Sequence, residues 1–342
     1  MKTRPLVALA AIATATTLAL TGCVAGEGSP EPADPGTGGW SASTLTVDFA
    51  TYNPLSLIIK QEGWLEEATD GEVTVNWVQS AGSNKANEGL LAGALDVGST
   101  AGSAALLARA NGSPIKTIDI YSQPNWAALA VPADSDIASV TDLRGHSVAV
   151  TVGTDPYFFL LQTLEEFGVG VEEIEIVNLQ HADGKAALEN GSVDAWSGLD
   201  PLLSTSVELA GTKIIYDNID FNTYGFLNAT EAFLEKSPDL AQLVVNAYEK
   251  ARQWAIENPE ETAQILADVA GIELPIAQAV LIDRTNLELS GVPGQKQYDV
   301  LKIVGPVLVA VGSVQSQGLV DTALESLLDP SLAEKADPDF LD

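Results

Sequence analysis

Four stretches of the chain end an alternating apolar run on small or hydroxyl-bearing residues and then open a helical run. They are "TYNP" (Thr51–Pro54), "QSAGS" (Gln79–Ser83), "GSTAG" (Gly98–Gly102) and "VGTDP" (Val152–Pro156). A helix that starts at the carboxyl end of a strand leaves backbone N–H groups free and carries the positive end of its dipole there. The chemistry this offers is capture of a small solute, with an anionic group as the first candidate. The residues it selects are Tyr52, Asn53, Ser80, Gly82, Ser99, Thr100, Gly102, Gly153 and Thr154. "VDAWSGLDPLL" adds Trp196, able to stack on a solute, and Asp200, able to take an ammonium group or organise a closed cleft. Gln123 joins them where the chain is expected to leave one sheet for another. Each turn also has a plainer use. Thr154 and Asp155 can satisfy their own helix end, Trp196 can be core, and Asp200 can cap the helix after Pro201.

The same residues offer little for catalysis. His146 and His181 read as solvent-exposed loop histidines, and neither has metal-ligand spacing with Cys, His or Glu. No G-x-S-x-G elbow, Walker loop or intact G-x-G-x-x-G is present. A non-enzymatic protein without metal or cofactor is expected.

The elements that must position these turns follow from hydrophobic periodicity. Strands are predicted at Leu45–Ala50, Glu72–Gln79, Leu95–Ser99, Ile115–Ser122 and Trp126–Val131. Helical runs lie between them: Pro54–Trp64, Asn84–Gly93 and Ala101–Ala110. The alternation restarts with strands at Ser147–Val152, Glu173–Leu179, Asp194–Leu199 and Thr212–Asp217. Helices are predicted there at Pro156–Phe167, Gly184–Asn190 and Pro201–Ala210. From Thr230 onward the spacing is helical, including runs at Leu274–Leu289, Gln297–Val311 and Leu319–Leu328. Strands alternating with helices predict an α/β fold with two mostly parallel sheets flanked by helices. Crossings between them are placed near Gln123–Ala127 and Asn218–Phe226.

The N-terminus carries a different message. Lys2 and Arg4 precede an apolar run from Leu6 to Leu20, and Leu20-Thr21-Gly22-Cys23 follows. This is the pattern of a bacterial export signal, and the apolar run is short for a membrane span of ~20 residues. Cys23 is the only cysteine, so it has no internal disulfide partner. Its position resembles a lipoprotein cleavage box, which implies lipidation at Cys23. Gly- and Pro-rich residues Val24–Trp40 then form a tether. The expected divisions are a signal peptide at 1–22, anchor and linker at 23–43, lobe 1 from 44–124 and 225–342, and lobe 2 from 125–224. The formal charge is −31, and loss of Lys2 and Arg4 with the signal leaves −33. So acidic a surface repels phosphate backbones and excludes a nucleic-acid partner.

With the turns and elements in place, the segment "VTDLRGHSVAVTVGTDPYFFLLQTLEEFGVGVEEIEIVNLQHADGKAALENGSVDAWSGLDPLL" resembles the sulfonate, taurine and nitrate group of ABC-transporter substrate-binding proteins. Asp183, Ala187, Gly191, Val193-Asp194-Ala195-Trp196 and Asp200-Pro201 match that group's motif in order. "GLLAGALDVGSTAGSAALLARANGSPIK" and "FLEKSPDLAQLVVNAYEKARQWAIENPEETAQILA" resemble its first-lobe segment and its return helices.

The resemblance implies a two-lobe type II periplasmic-binding-protein fold that closes on one small organosulfonate-like solute. It implies partners too: an ABC permease and its ATPase. A monomer held by Cys23 on the extracytoplasmic face of the cell membrane is expected. At matched positions it supports Thr100, Gly102, Gly153, Thr154 and Asp200 as site residues, with Ser99 and Trp196 beside them. The departures bear on the solute. The turn here is Gly-Thr-Asp-Pro, where the group more often has Asn, Ser or His after Gly-Thr. An aromatic is missing from the W-x-W-D-P pattern, and no Arg or Lys stands at a proposed contact turn. Asp155 beside an anion costs affinity unless it points away. Nitrate, or an amine-bearing, zwitterionic or heterocyclic solute, therefore stays open, as do an exported enzyme and a receptor-linked sensor using the same cleft.

Overall fold

The computed structural model describes residues 39–341, so Cys23, the signal and most of the tether lie outside the described residues. The first half of the chain runs β1 (Thr44–Phe49), α1 (Pro54–Glu62), α2 (Trp64–Ala68), β2 (Thr74–Gln79), α3 (Ser83–Leu91), β3 (Val97–Ala101), α4 (Gly102–Ala110) and β4 (Ile115–Pro124). It continues through β5 (Ala127–Val131), β6 (Ser147–Val150), α5 (Asp155–Glu166), β7 (Glu175–Asn178), α6 (His181–Glu189), β8 (Ala195–Leu199), α7 (Leu202–Ala210) and β9 (Lys213–Asp217). Then come β10 (Gly225–Thr230), α8 (Glu231–Lys236), α9 (Pro238–Glu257), α10 (Pro259–Ala270), α11 (Leu274–Asp283), β11 (Thr285–Asn286), α12 (Gln295–Ala310) and α13 (Gln317–Leu327).

Two sheets result. The first has the order β11-β4-β10-β3-β1-β2 and the second β7-β6-β8-β5-β9. The chain passes from the first to the second at 125–126 and returns at 218–224. This is a two-lobe α/β arrangement, but its sheets are mixed rather than mostly parallel. Pairs β1–β2, β1–β3, β6–β7 and β6–β8 are parallel. Pairs β10–β3, β10–β4, β11–β4, β5–β8 and β5–β9 are antiparallel. The reason is the crossing itself. A strand that enters a sheet directly from the other lobe, such as β5 or β10, has no βα unit to reverse it.

Local chemistry sets the boundaries. The run predicted as one helix to Trp64 is broken at Gly63, which takes a left-handed φ of 69° and closes α1 through Gly63 N–H to Ile59 O. The helix predicted to reach Leu289 ends at Asp283, because Thr285 and Asn286 add to the edge of β4 and the carbonyl of Arg284 accepts from Asn125 N–H. Helix α5 is buried from Asp155 through Leu164, since it packs against its own sheet and against α4 and α12 of the first lobe. A surface helix would show one polar stripe; α5 has almost none in that span. It is the wedge between the lobes.

Candidate functional site

The predicted turns meet where the two lobes face one another. After β1, Asn53 Oδ1 accepts from Ser56 N–H and caps α1, while Asn53 Nδ2 donates to the Tyr248 hydroxyl at 2.9 Å. Tyr52 turns inward. Its hydroxyl donates to Ser99 O at 3.0 Å, and its ring meets Trp126 edge-on at 6.1 Å. Ser99 N–H and Oγ–H both reach Asp48 Oδ1, at 2.8 and 3.0 Å. Burial pushes the Asp48 carboxyl up to about 7, against hydrogen bonds from Ser80 and Ser99 that favour its charged form. Thr100 faces the sheet, where its hydroxyl accepts from Asn228 Nδ2 at 2.8 Å. Gly102 is filled in by packing: a Cβ there would stand 2.9 Å from the Phe226 ring. Gln123 is half-buried in β4 opposite Asn286.

From the second lobe, Gly153 holds a left-handed φ of 81° that lets β6 turn sharply into α5, and its nearest neighbour is Leu107 of α4. Thr154 sits at the N-cap of α5, but its hydroxyl donates backward to Thr151 O at 2.6 Å and does not cap the helix. Asp155 does not lie idle beside an anion site. Its Oδ1 accepts from Ser103 Oγ (2.6 Å) and Thr223 Oγ1 (2.7 Å). Its Oδ2 accepts from Trp126 Nε1 (2.7 Å) and Thr223 N–H (2.8 Å). The residue is 1% exposed. Burial raises its pKa, and all four donors oppose the rise. The donors come from α4 and from both crossing segments, and the acceptor from the opposite lobe.

This alters the picture of free amides at converging helix starts. The starts of α3, α4 and α5 do converge. At α4, however, Gly102 N–H is taken by Tyr224 O and Ser103 N–H by Thr223 Oγ1. The anion place between α4 and α5 holds the chain's own carboxylate.

Trp196 and Asp200 are placed away from an open cleft. Trp196 is fully buried in a small core with Ala128, Ala130, Leu188 and Leu203, and it packs on α6 through Gly184. Asp200 Oδ1 accepts from Ser204 N–H and Oγ–H, capping the start of α7. Its Oδ2 is bonded to Arg284 Nε, and Arg284 Nη1 reaches Asp217 Oδ2 at 3.2 Å. An ammonium partner for Asp200 is therefore already supplied, by a guanidinium that approaches from the end of α11.

His181 is the clearest departure from expectation. It opens α6 and is 3% exposed, not a solvent-facing loop residue. Thr151 Oγ1 donates to Leu179 O at 2.7 Å, so its lone pair accepts the proton on His181 Nδ1 at 3.1 Å. Nε2 is then a bare acceptor, with no partner among the described residues. Burial holds the imidazole neutral, with its pKa lowered to about 4. A Cβ on Gly82 would lie 2.9 Å from both His181 Nε2 and Asn84 Oδ1, so the glycine leaves room for the two lobes to touch. Asp48, Trp126, Thr223, Arg284 and His181 were not singled out by the turn motifs. A polar residue inside the alternating strand "LTVDFA" was a usable signal for Asp48. Arg284 had none, because its partner is far off in sequence.

Comparison with known proteins agrees with this architecture. Residues 56–262 match the family described as NMT1/THI5 like. A "Putative aliphatic sulfonates-binding protein" of Bacillus subtilis (strain 168) is 32% identical over 236 residues, covering 68% of this chain and 70% of the relative. One of the same description from Escherichia coli (strain K12) is 28% identical over 232 residues, 67% of this chain and 73% of the relative. The alkanesulfonate-binding protein of Xanthomonas axonopodis pv. citri, solved with MOPS bound, superposes with a TM-score of 0.74 at 21% identity, over 82% of this chain and 98% of that one. The chain belongs to the NMT1/THI5-like family, with the two-lobe fold of periplasmic solute-binding proteins.

Proposed function

We propose that this chain is the extracytoplasmic solute-binding lipoprotein of an ABC importer. It captures a small organosulfonate-like or related solute at the seam between its lobes and delivers it to the permease. The observation that carries this reading is the seam itself. Gly82 of the first lobe abuts His181 of the second, and Gly153 of the second abuts Leu107 of the first. The relatives named above, described as sulfonate-binding, supply the solute class. In this reading Cys23 is the lipidated N-terminus of the mature chain and the folded body works as a monomer; the tether ends before Trp40 rather than at 43, because Trp40 and Ala42 pack on the core and Ser41 N–H donates to Asp239 of α9 at 2.8 Å. A solute that bridges the lobes favours the closed state by its differential affinity for it.

A thermal-shift panel of alkanesulfonates, nitrate, amino acids and heterocycles tests the reading, because a ligand that binds only the folded state raises the melting temperature. A shift of several degrees with at least one alkanesulfonate is expected; no shift with any sulfonate overturns the solute class. Cys23→Ala, expressed with its signal, is expected to leave the membrane fraction. Retention there would overturn the anchor.

A further inference from the structure

Beside the seam lies a cavity of about 240 Å³ that is built from both lobes. Its walls come from α3, α4 and the Gly153 turn, and its floor is apolar, with Leu91, Leu107 and Ala108. That volume is below the 300–1,000 Å³ of whole small-molecule sites and suits one end of a solute. Its polar lining is one-sided. Asn87 Nδ2 donates to Ala104 O at 2.9 Å, which fixes the amide so that Oδ1 is the free atom. Asn87 Oδ1, Asn84 Oδ1 and Ser113 Oγ have no partner among the described residues. Next to Asn84, at the gap left by Gly82, stands the bare Nε2 of His181. Glu88, also on the wall, is paired with Lys85. Ser113 and His181 are each 3% exposed, so their unmet polar atoms are not simply turned to bulk water. A buried acceptor without a donor costs about 1–3 kcal/mol. Two amide oxygens on the cavity wall and the imidazole nitrogen beside it therefore lack a donor among the described residues, while the Ser113 hydroxyl can give as well as take a hydrogen bond.

We propose that this cavity receives an N–H donor end of the solute, an ammonium, amidinium or primary amide, held by Asn84 Oδ1 and Asn87 Oδ1 with His181 Nε2 alongside. The inference rests on the reading of the seam as the solute cleft. Asp155 supports it from the other side. The cage between α4 and α5, with donors from Ser103, Thr223 and Trp126, is filled by a tethered carboxylate, so a solute gains nothing by presenting an acid there. Beside this cavity, among the described residues, the unpaired amide and imidazole atoms are all acceptors: Asn84 Oδ1, Asn87 Oδ1 and His181 Nε2. The chain's net charge of −31 also draws cationic groups toward the protein as a whole.

Three probes of matched length separate the inference from the function it rests on: 3-aminopropane-1-sulfonate, propane-1-sulfonate and propylamine. They are titrated into the full folded chain by calorimetry and thermal shift. The expected result is that 3-aminopropane-1-sulfonate binds at least about tenfold more tightly than propane-1-sulfonate, the size of one charge-assisted hydrogen bond. In Asn84→Ala that ratio is expected to fall toward one, and likewise in His181→Phe should the first variant fold poorly. Equal affinity of the two sulfonates for the wild-type chain would overturn the inference and leave the sulfonate reading standing. Binding of propylamine with neither sulfonate would uphold the inference and overturn the sulfonate reading. Binding of none of the three would overturn both.

Discussion

Asp155 accepts the indole N–H of Trp126 at 2.7 Å, joining the start of helix α5 in the second lobe to the strand crossing that leaves the first. With Thr223 on the other crossing bonded to the same carboxylate, one side chain holds both connections and helix α4 together. Loss of this group leaves four donors in a buried site with no acceptor. Asp155→Ala is therefore expected to lower unfolding stability by about 3 kcal/mol, since a buried donor left without an acceptor costs about 1–3 kcal/mol. Formate should refill the vacated cage and raise the melting temperature of the variant, but not of the wild type. Urea melts with formate against a chloride control of equal ionic strength check this, and an identical response of the two proteins would sink it.

Arg284 and Asp200 are expected to be energetically coupled across the lobes. The pair is almost fully buried on the aspartate side, and the same aspartate caps α7. Asp200→Asn keeps an oxygen for Ser204 N–H, and Arg284→Gln keeps most of the side-chain volume. A double-mutant cycle with these two variants should give a coupling of about 1–3 kcal/mol. A coupling near zero would place the pair with solvent-screened surface bridges, which contribute about 0–1 kcal/mol.

Gly82 is expected to tolerate no side chain in the closed protein. A Cβ there approaches His181 Nε2 and Asn84 Oδ1 at 2.9 Å, and His181 is held from behind by Thr151. Gly82→Val should wedge the seam and weaken solute binding at least about tenfold, as overpacking costs about 1–3 kcal/mol. Small-angle scattering should show a larger radius of gyration with the solute present than the wild type shows. An unchanged radius would mean that the lobes do not close through this contact.

His181 sets a pH dependence with a definite sign. Its folded pKa is lowered to about 4 from an ordinary 6.5, so the unfolded chain binds the extra proton between those values. Its contribution to stability is complete above 6.5 and is lost as the pH falls toward 4. Asp48 and Asp119, each raised to about 7, act in the opposite sense: their contribution is complete below 3.8 and is lost as the pH rises through 7. The histidine's part is isolated by subtraction. Wild type minus His181→Phe, measured by urea unfolding at pH 7 and pH 4.5, should shrink by about 2 kcal/mol on acidification. A constant difference would mean that His181 titrates normally in the fold.

Much of the fold was legible because βα alternation is local. The strand "SVAV" and helix "DPYFFLLQTLEE" appear within a residue or two of their predicted limits. What was not legible is long-range. The antiparallel entry of β5 and β10 depends on which sheet a strand joins, not on its own sequence. The turns of both lobes come together at the seam, yet their side chains are mostly spent on the protein. Asn53 goes to Tyr248, Thr100 to Asn228 and Asp200 to Arg284. Motif spacing carries no information about such partners, which arrive from 84 to 195 residues away. His181 shows the same limit: nothing in "NLQHADG" says that Thr151 will take one imidazole nitrogen and leave the other bare.

The tie between Asp155 and the two crossings bears on how the protein must open. Trp126 and Thr223 mark where the backbone passes between lobes, and both are anchored at one point on α5. Sliding one half past the other would stretch these bonds in opposite senses, whereas swinging about a line through them would leave them intact. Access to the cleft is thus confined to a single swinging motion, with its pivot beside this carboxylate.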